Sequence, residues 1–387
     1  MTACAIETAA DGDAVSEAVF TIAADGSYAA RLAGAGDARF PERWTLDGPE
    51  PYAVPLPADQ PEEPDTGLLP LTDGRVLIHR RQGGASHAFG SGAGRHSFSL
   101  LYPTGPRTGE LPLGAVECGR LELLPPAPDG SRAYALSVGE LSTTVWLVAG
   151  GAFGPEHVAE VSGRCSGGVW LDRTGRILAL DREADGVTKA VAVDLERGGE
   201  VTPLLQITER SNDRLLLADP DSGLLLIRSD APGHDRLGWG VLGSMLPVRF
   251  PESLAPADCA VTPFAVQPGQ VLTPESCAVA LRIEGAAGRW VGVWRPAGRR
   301  LHHLAPPQGW LAGAGLWTRE GVLRLPYATG AVRCGVARIE APEDAVITEP
   351  AQVERAGGEP FAAPDTPVVC KPVPLQQAPL TGRGARG

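Results

Sequence analysis

Three histidines, His79, His87 and His96, fall within eighteen residues of one another. Imidazole titrates near neutrality, so such a group could supply a general base or metal ligands. The spacings of eight and nine residues match no ligand motif, so no metal is expected. A fourth histidine, His234, stands directly before Asp235 and Arg236. A His beside an Asp has the composition of an acid/base pair. Adjacent loop residues ordinarily point apart, which favours a solvated loop instead.

A larger polar set recurs at one phase of the chain, about ten residues ahead of successive tight turns. It holds Asp65 and Thr66, Glu117 and Arg120, Arg164 and Ser166, then Arg210, Asn212 and Asp213, then Asp258, then Gln308 and Trp310. Guanidinium forks meet carboxylates in two parallel bonds, so Arg164 and Arg210 suit an anionic or zwitterionic small molecule. Glu117, Asp213, Asp258 and His234 are the candidate catalytic acids and bases. Arg164, Arg210, Asn212, Trp310, His87 and His96 are the candidate ligand contacts. The competing reading is that these charges pair with one another and with water. Cys118, Cys165 and Cys259 share the same phase. They read either as a thiol cluster or, in the blander and favoured version, as small buried residues. No phosphate loop, His-Glu-x-x-His helix, EF-hand or Gly-x-Ser-x-Gly elbow occurs.

Two recurring signals describe the elements that would position these residues. One is a tight turn between apolar runs, as at Asp25-Gly26, Asp73-Gly74, Asp129-Gly130, Thr174-Gly175 and Glu320-Gly321. Gly takes positive φ without a Cβ clash and Asp tolerates it, so these are hairpin turns. The other is a Trp followed four residues later by Gly, at Trp44, Trp146, Trp239 and Trp294. Each Trp falls downstream of a tight turn. The repeating unit is therefore strand, tight turn, strand, loop, strand, turn, strand. No stretch has sustained helical periodicity with caps.

Four antiparallel strands per unit is the anatomy of a propeller blade. The expectation is an all-β, seven-bladed β-propeller of four-stranded antiparallel blades, with six blades plus a hairpin as the alternative. The expected blades are 18–57, 67–114, 118–163, 164–208, 211–254, 258–305 and 311–350. The apolar segment 361–376 would close the ring, within a single domain of 17–380. Residues 1–16 and 381–387 read as disordered. The units resemble the repeats of YncE-like, lactonase-like and WD40-like propellers, in architecture only. The Trp-Asp pair of true WD40 repeats is absent, since Trp is followed by Thr, Leu, Gly or Arg in these units.

Composition agrees with many short strands and turns: 49 Gly and 36 Pro are spread over 387 residues, and 43% are hydrophobic. The net charge of −12 argues against nonspecific binding to nucleic acid or anionic membranes. Seven Cys without a Cys-x-x-Cys pair suit a reduced, cytoplasmic protein. No signal peptide or run of 18 apolar residues is seen. No cofactor is implied. Two functions stay open. One is a small-molecule-binding protein or metal-independent acid/base enzyme with its site at the channel mouth. The other is a protein-interaction or structural propeller.

Overall fold

The computed structural model describes residues 20–34, 36–82, 94–105 and 107–342. His87, the segment 361–376 and both termini expected to be disordered lie outside the described residues. The strands form seven antiparallel blades in chain order, at 21–55, 67–118, 121–162, 164–205, 213–241, 259–304 and 316–340. The protein is an all-β, seven-bladed propeller, and six blades with a hairpin is excluded.

Blades one, two, three, four and six have four strands each. In blade five the fourth position is a single bridge, Trp239 to Arg249. Blade seven has three strands among the described residues, ending at Gly335–Glu340. A single parallel bridge, Lys189 to Asp213, joins blades four and five. Three short 3-10 turns are the only helical segments among the described residues. No helix there is long and apolar enough to cross a membrane.

Each blade is sandwiched between two others, so its strands bury both faces. This is why runs such as Leu224-Leu225-Leu226-Ile227 are apolar without alternation. Leu224 and Leu226 pack toward blade six. Leu225 and Ile227 pack toward blade four. Among the described residues seven buried clusters result, one in each seam between adjacent blades. The seam between blades seven and one closes the ring through Trp44 and Leu46 packed on Leu311 and Val336. There Arg324 also donates to the Leu46 carbonyl at 2.6 Å. Trp239 and Trp294 meet edge to face at 6.4 Å between blades five and six. Leu226 is fully buried. Leu226→Ala is expected to cost about 2–5 kcal/mol, read as a lower urea midpoint, because the cavity adds to the lost burial.

The tight turns also lock neighbouring blades. Gly130 has φ +71. Its carbonyl accepts from both the amide and the hydroxyl of Thr72 in blade two, at 3.0 and 3.1 Å. A Cβ at Gly130 would fall 2.3 Å from the Thr72 methyl, so the site needs glycine for space as well as for φ. Each innermost strand runs from one side of the ring to the other. The side where these strands begin is called the mouth face, and the side with the tight turns is the turn face.

Candidate functional site

The innermost strands of six blades enclose a central cavity of about 1090 Å³. Its lining is chiefly apolar and includes Leu123, Leu217, Phe264, Val266 and Leu316. Charge enters at one end. Arg39 comes from the mouth-face loop of blade one, and Asp65 and Thr66 from the connection into blade two. No ion pair joins Arg39 to Asp65 among the described residues, and the Asp65 carboxylate acts instead on His79 and His96, opposing the fall in both their pKa values.

The sequence-derived set lies on the mouth face, but it does not converge on this cavity. Only Asp65 and Thr66 from that set line it. Arg164 opens the innermost strand of blade four, Arg164–Trp170, and is exposed. Arg210 and Asp258 are exposed as well, and Asp258 has φ +56. None of these three side chains has a partner among the described residues. Glu117 lies in Thr108–Cys118, the outermost strand of blade two, and not in the link to blade three. It is 74% exposed and faces Arg95 at 3.7 Å. His234 is exposed, and its neighbour Asp235 turns away to Arg228 at 3.2 Å. Trp310 is buried between blades six and seven, where its ring nitrogen donates to the Ala314 carbonyl at 2.9 Å.

Asp213 is completely buried. Its carboxylate accepts from Lys189 Nζ at 2.7 Å, Ser211 Oγ at 3.0 Å, Ser229 Oγ at 2.6 Å and the Ile207 amide at 2.9 Å. All of its acceptor capacity is used within the protein. Asn212, beside it, accepts from the Thr188 amide at 3.0 Å and donates to Asp230 at 2.8 Å. The Asn212 bonds hold the Asp230 carboxyl below its ordinary range. This polar network staples blade four to blade five.

Two further groups have unusual electrostatics. Asp181 is 6% exposed, and burial pushes its carboxyl up to about 6. It accepts the Leu215 amide at 3.0 Å and lies 3.7 Å from Arg214, which reaches Ser166 and Thr188. A Cβ on Gly167, in the innermost strand of blade four, would lie 3.3 Å from its Oδ2. The second group is a buried pair, His79 Nε2 and His96 Nδ1, 2.9 Å apart with their rings stacked. One nitrogen must hold a hydrogen and the other accept it, so the contact suits two neutral rings. Burial, with His96 adding to it, lowers His79 to about 4. Burial and the Arg81 charge lower His96 as well.

No protein-family model matches the chain, and no curated protein matches it in sequence. Solved structures do resemble it. Prolyl oligopeptidase B from Galerina marginata, bound to a 35mer hydrolysis and macrocyclization substrate, aligns at TM-score 0.53 and 12% identity over 84% of this chain. The apo form of that protein aligns at TM-score 0.50, again at 12% identity and 84% coverage. The chain spans 48–49% of the oligopeptidase's length. TolB from Acinetobacter baumannii aligns at TM-score 0.43 and 13% identity, over 83% of this chain and 82% of that one. The property shared with the oligopeptidase is the propeller. At this identity the likeness carries the fold and not an activity.

Sequence reasoning passed over Arg39, Lys189 and Asp181. Asp181 did leave a signal, since it directly follows the apolar run Ile177–Leu180 at a position where a carboxyl must be buried. Arg39 left none, because a mouth-face loop of blade one has no special composition. Among the described residues, no three His, Cys, Asp or Glu side chains are placed to hold a metal. Cys165 is buried between blades three and four, and burial raises its thiol pKa.

Proposed function

We propose that the protein is a ligand-binding β-propeller whose site is the central channel. The observation that carries this reading is the 1090 Å³ cavity with apolar walls and one charged end. Mostly apolar pockets with a few placed polar groups are the usual form of small-molecule sites. The ligand has a slender apolar body and a polar or anionic end. Leu217, Phe264 and Leu316 accept the body, and Arg39, Asp65 and Thr66 hold the end. Arg164 and Arg210, exposed on the same face, favour the approach of an anion. Free thiols at the described cysteines support a reducing, cytoplasmic setting.

Binding is favoured over catalysis because no hydrogen bond or ion pair joins any two of Glu117, Asp213, Asp258 and His234. The second reading, acid/base chemistry, rests on Asp181, whose raised pKa is of the kind found at working sites. A direct test uses anilinonaphthalene sulfonate, an apolar ring system with one anionic group. Native protein is expected to bind it with enhanced fluorescence. Leu217→Trp, which fills the channel, and Arg39→Ala, which removes the cation, should each weaken binding by roughly tenfold or more. Unchanged affinity in both variants would remove the channel as the site.

A further inference from the structure

We propose that the protein has a second binding site, for a neutral polyol or sugar, where blades four and five bring Asp181 and Arg214 together. Blade four contributes no residue to the lining of the main cavity, and neither Asp181 nor Arg214 belongs to that lining. The inference therefore stands apart from the channel reading.

The site exists because of a bulge. In the innermost strand of blade four, Arg164–Trp170, the pairing shifts register between Ser166 and Val169. Gly167 and Gly168 make up the extra length, with φ +74 and +142, where a side chain is disfavoured. Gly167 is exposed. A Cβ built on it would meet nothing within 4 Å except the Asp181 carboxyl, whose Oδ2 would be 3.3 Å away. The missing side chain thus leaves an opening over Oδ2, although Asp181 as a whole is only 6% exposed.

Buried polar atoms are ordinarily hydrogen-bonded, and Asp213 meets that rule with four donors. Asp181 does so with one oxygen. Oδ1 accepts the Leu215 amide at 3.0 Å. Oδ2 accepts no hydrogen bond among the described residues, and Arg214 Nη1 stands 3.7 Å from it, beyond hydrogen-bond reach. Arg214 is loosely held in turn. Its bonds to Ser166 Oγ and Thr188 Oγ1 are long, at 3.4 and 3.3 Å, and its side chain is 42% exposed. Two opposite charges therefore keep unused hydrogen-bonding capacity side by side. Burial lifts the Asp181 carboxyl to about 6, in keeping with an ionised form that the protein satisfies only in part.

The ligand class follows from what each group can do. A carboxylate only accepts and a guanidinium only donates. An ammonium group could serve the first alone, and an anion the second alone. One hydroxyl serves both, donating to Oδ2 and accepting from Nη1. Two bonds of about 2.8 Å meeting at one oxygen can span the 3.7 Å separation. A zwitterion would need two atoms where this gap takes one. The opposite charges of the pair ask for no net charge on the ligand. Ser166 Oγ and Arg214 Nη2 stand beside the pair, so an adjacent second hydroxyl also finds partners. Neighbouring hydroxyls on an uncharged frame define polyols and sugars.

Saturation-transfer NMR on the full chain tests this with glycerol, inositol, ribose and glucose, each at about 10 mM, which reads millimolar affinity. At least one of the four is expected to receive saturation, and glycine and acetate none. In Asp181→Asn the amide carbonyl keeps the Leu215 contact and the NH2 replaces Oδ2, so the acceptor is lost and the fold is kept. This variant should weaken polyol binding roughly tenfold or more, with a urea midpoint no lower than native. Arg214→Met, which keeps the stem and removes the donors, should weaken it likewise. Arg39→Ala, which alters the main cavity, should leave it unchanged. No transfer to any of the four compounds overturns the proposal. Equal transfer in the native and Asp181→Asn proteins, preferential transfer to glycine, or loss in Arg39→Ala overturns it as well.

Discussion

Alanine at Asp213 is expected to lower the unfolding free energy by roughly 3–5 kcal/mol, the range for breaking a buried ion pair by removing one partner. The carboxylate has no solvent exposure and four donors converge on it. Its loss leaves the Lys189 ammonium hydrogen-bonded only to Thr208 and Ser211, with the Asp230 charge nearby, and the Lys189 side chain is just 17% exposed. It also orphans the Ser229 hydroxyl and the Ile207 amide. Asp213 is the residue bridged to Lys189 where blade four meets blade five, so the damage should be local as well as large. Hydrogen exchange should rise first across 205–229, and urea unfolding should give the magnitude. Lys189→Met should cost a similar amount, since it leaves a buried carboxylate unpaired. Lys189→Met combined with Asp213→Leu should recover part of the loss, because two apolar side chains leave no charge unpaired. If the pair instead formed a reaction centre, Asp213→Ala would spare stability. A midpoint within 1 M urea of the native one, on the order of 1–3 kcal/mol, would tell against the structural role.

Asparagine at Asp181 is expected to stabilise the protein by about 1–3 kcal/mol at neutral pH and to leave it unchanged near pH 4. The Asp181 pKa is raised from 3.8 to about 6 in the folded protein. Between those values the folded state binds more protons than the unfolded state. Stability from this group is therefore full at low pH and is lost as pH rises through about 6. Asparagine keeps an acceptor for the Leu215 amide without the cost of burying a charge. His79 has the opposite sign. Its pKa is lowered from 6.5 to about 4, so the folded state binds fewer protons and stability is lost as pH falls through that window. The two slopes oppose each other between about 4 and 6 in the native protein. His79→Phe should expose the Asp181 slope, and Asp181→Asn should expose the His79 slope. Urea midpoints measured across this range decide it, and parallel curves for the native and Asp181→Asn proteins would remove the claim for Asp181.

The architecture was legible because its signals are local. A tight turn is written in two or three residues, such as Asp73-Gly74 or Asp129-Gly130, and these mark the blades directly. The Trp of each Trp-to-Gly unit marks a strand, and in the structure Trp44, Trp239 and Trp294 are buried between blades. Blade boundaries were less legible. Glu117 and Cys118 were assigned to the link into blade three, yet the outermost strand of blade two continues through both of them. Nothing in the local composition ends that strand where its hydrophobic pattern stops.

The site was legible only in its face. Counting back from each tight turn does reach the mouth face, but it does not say which way a side chain points. The innermost strands of blades four, five and six each carry a register shift, at Ser166/Val169, Leu215/Leu217 and Pro263/Ala265. Each shift lies between the tight turn and the residues counted from it. Side chains alternate with a period of two, so one extra residue reverses every direction beyond it. Asp213 lies beyond such a shift and turns toward blade four, while Leu217, on the turn side of it, packs toward blade six and lines the channel. The sequence by itself determined seven antiparallel units and the face on which polar residues gather, because turn chemistry and strand period act over a few residues. Only the tertiary structure decided which of those residues line the channel, because that depends on bulges and on the neighbouring blade that takes each side chain.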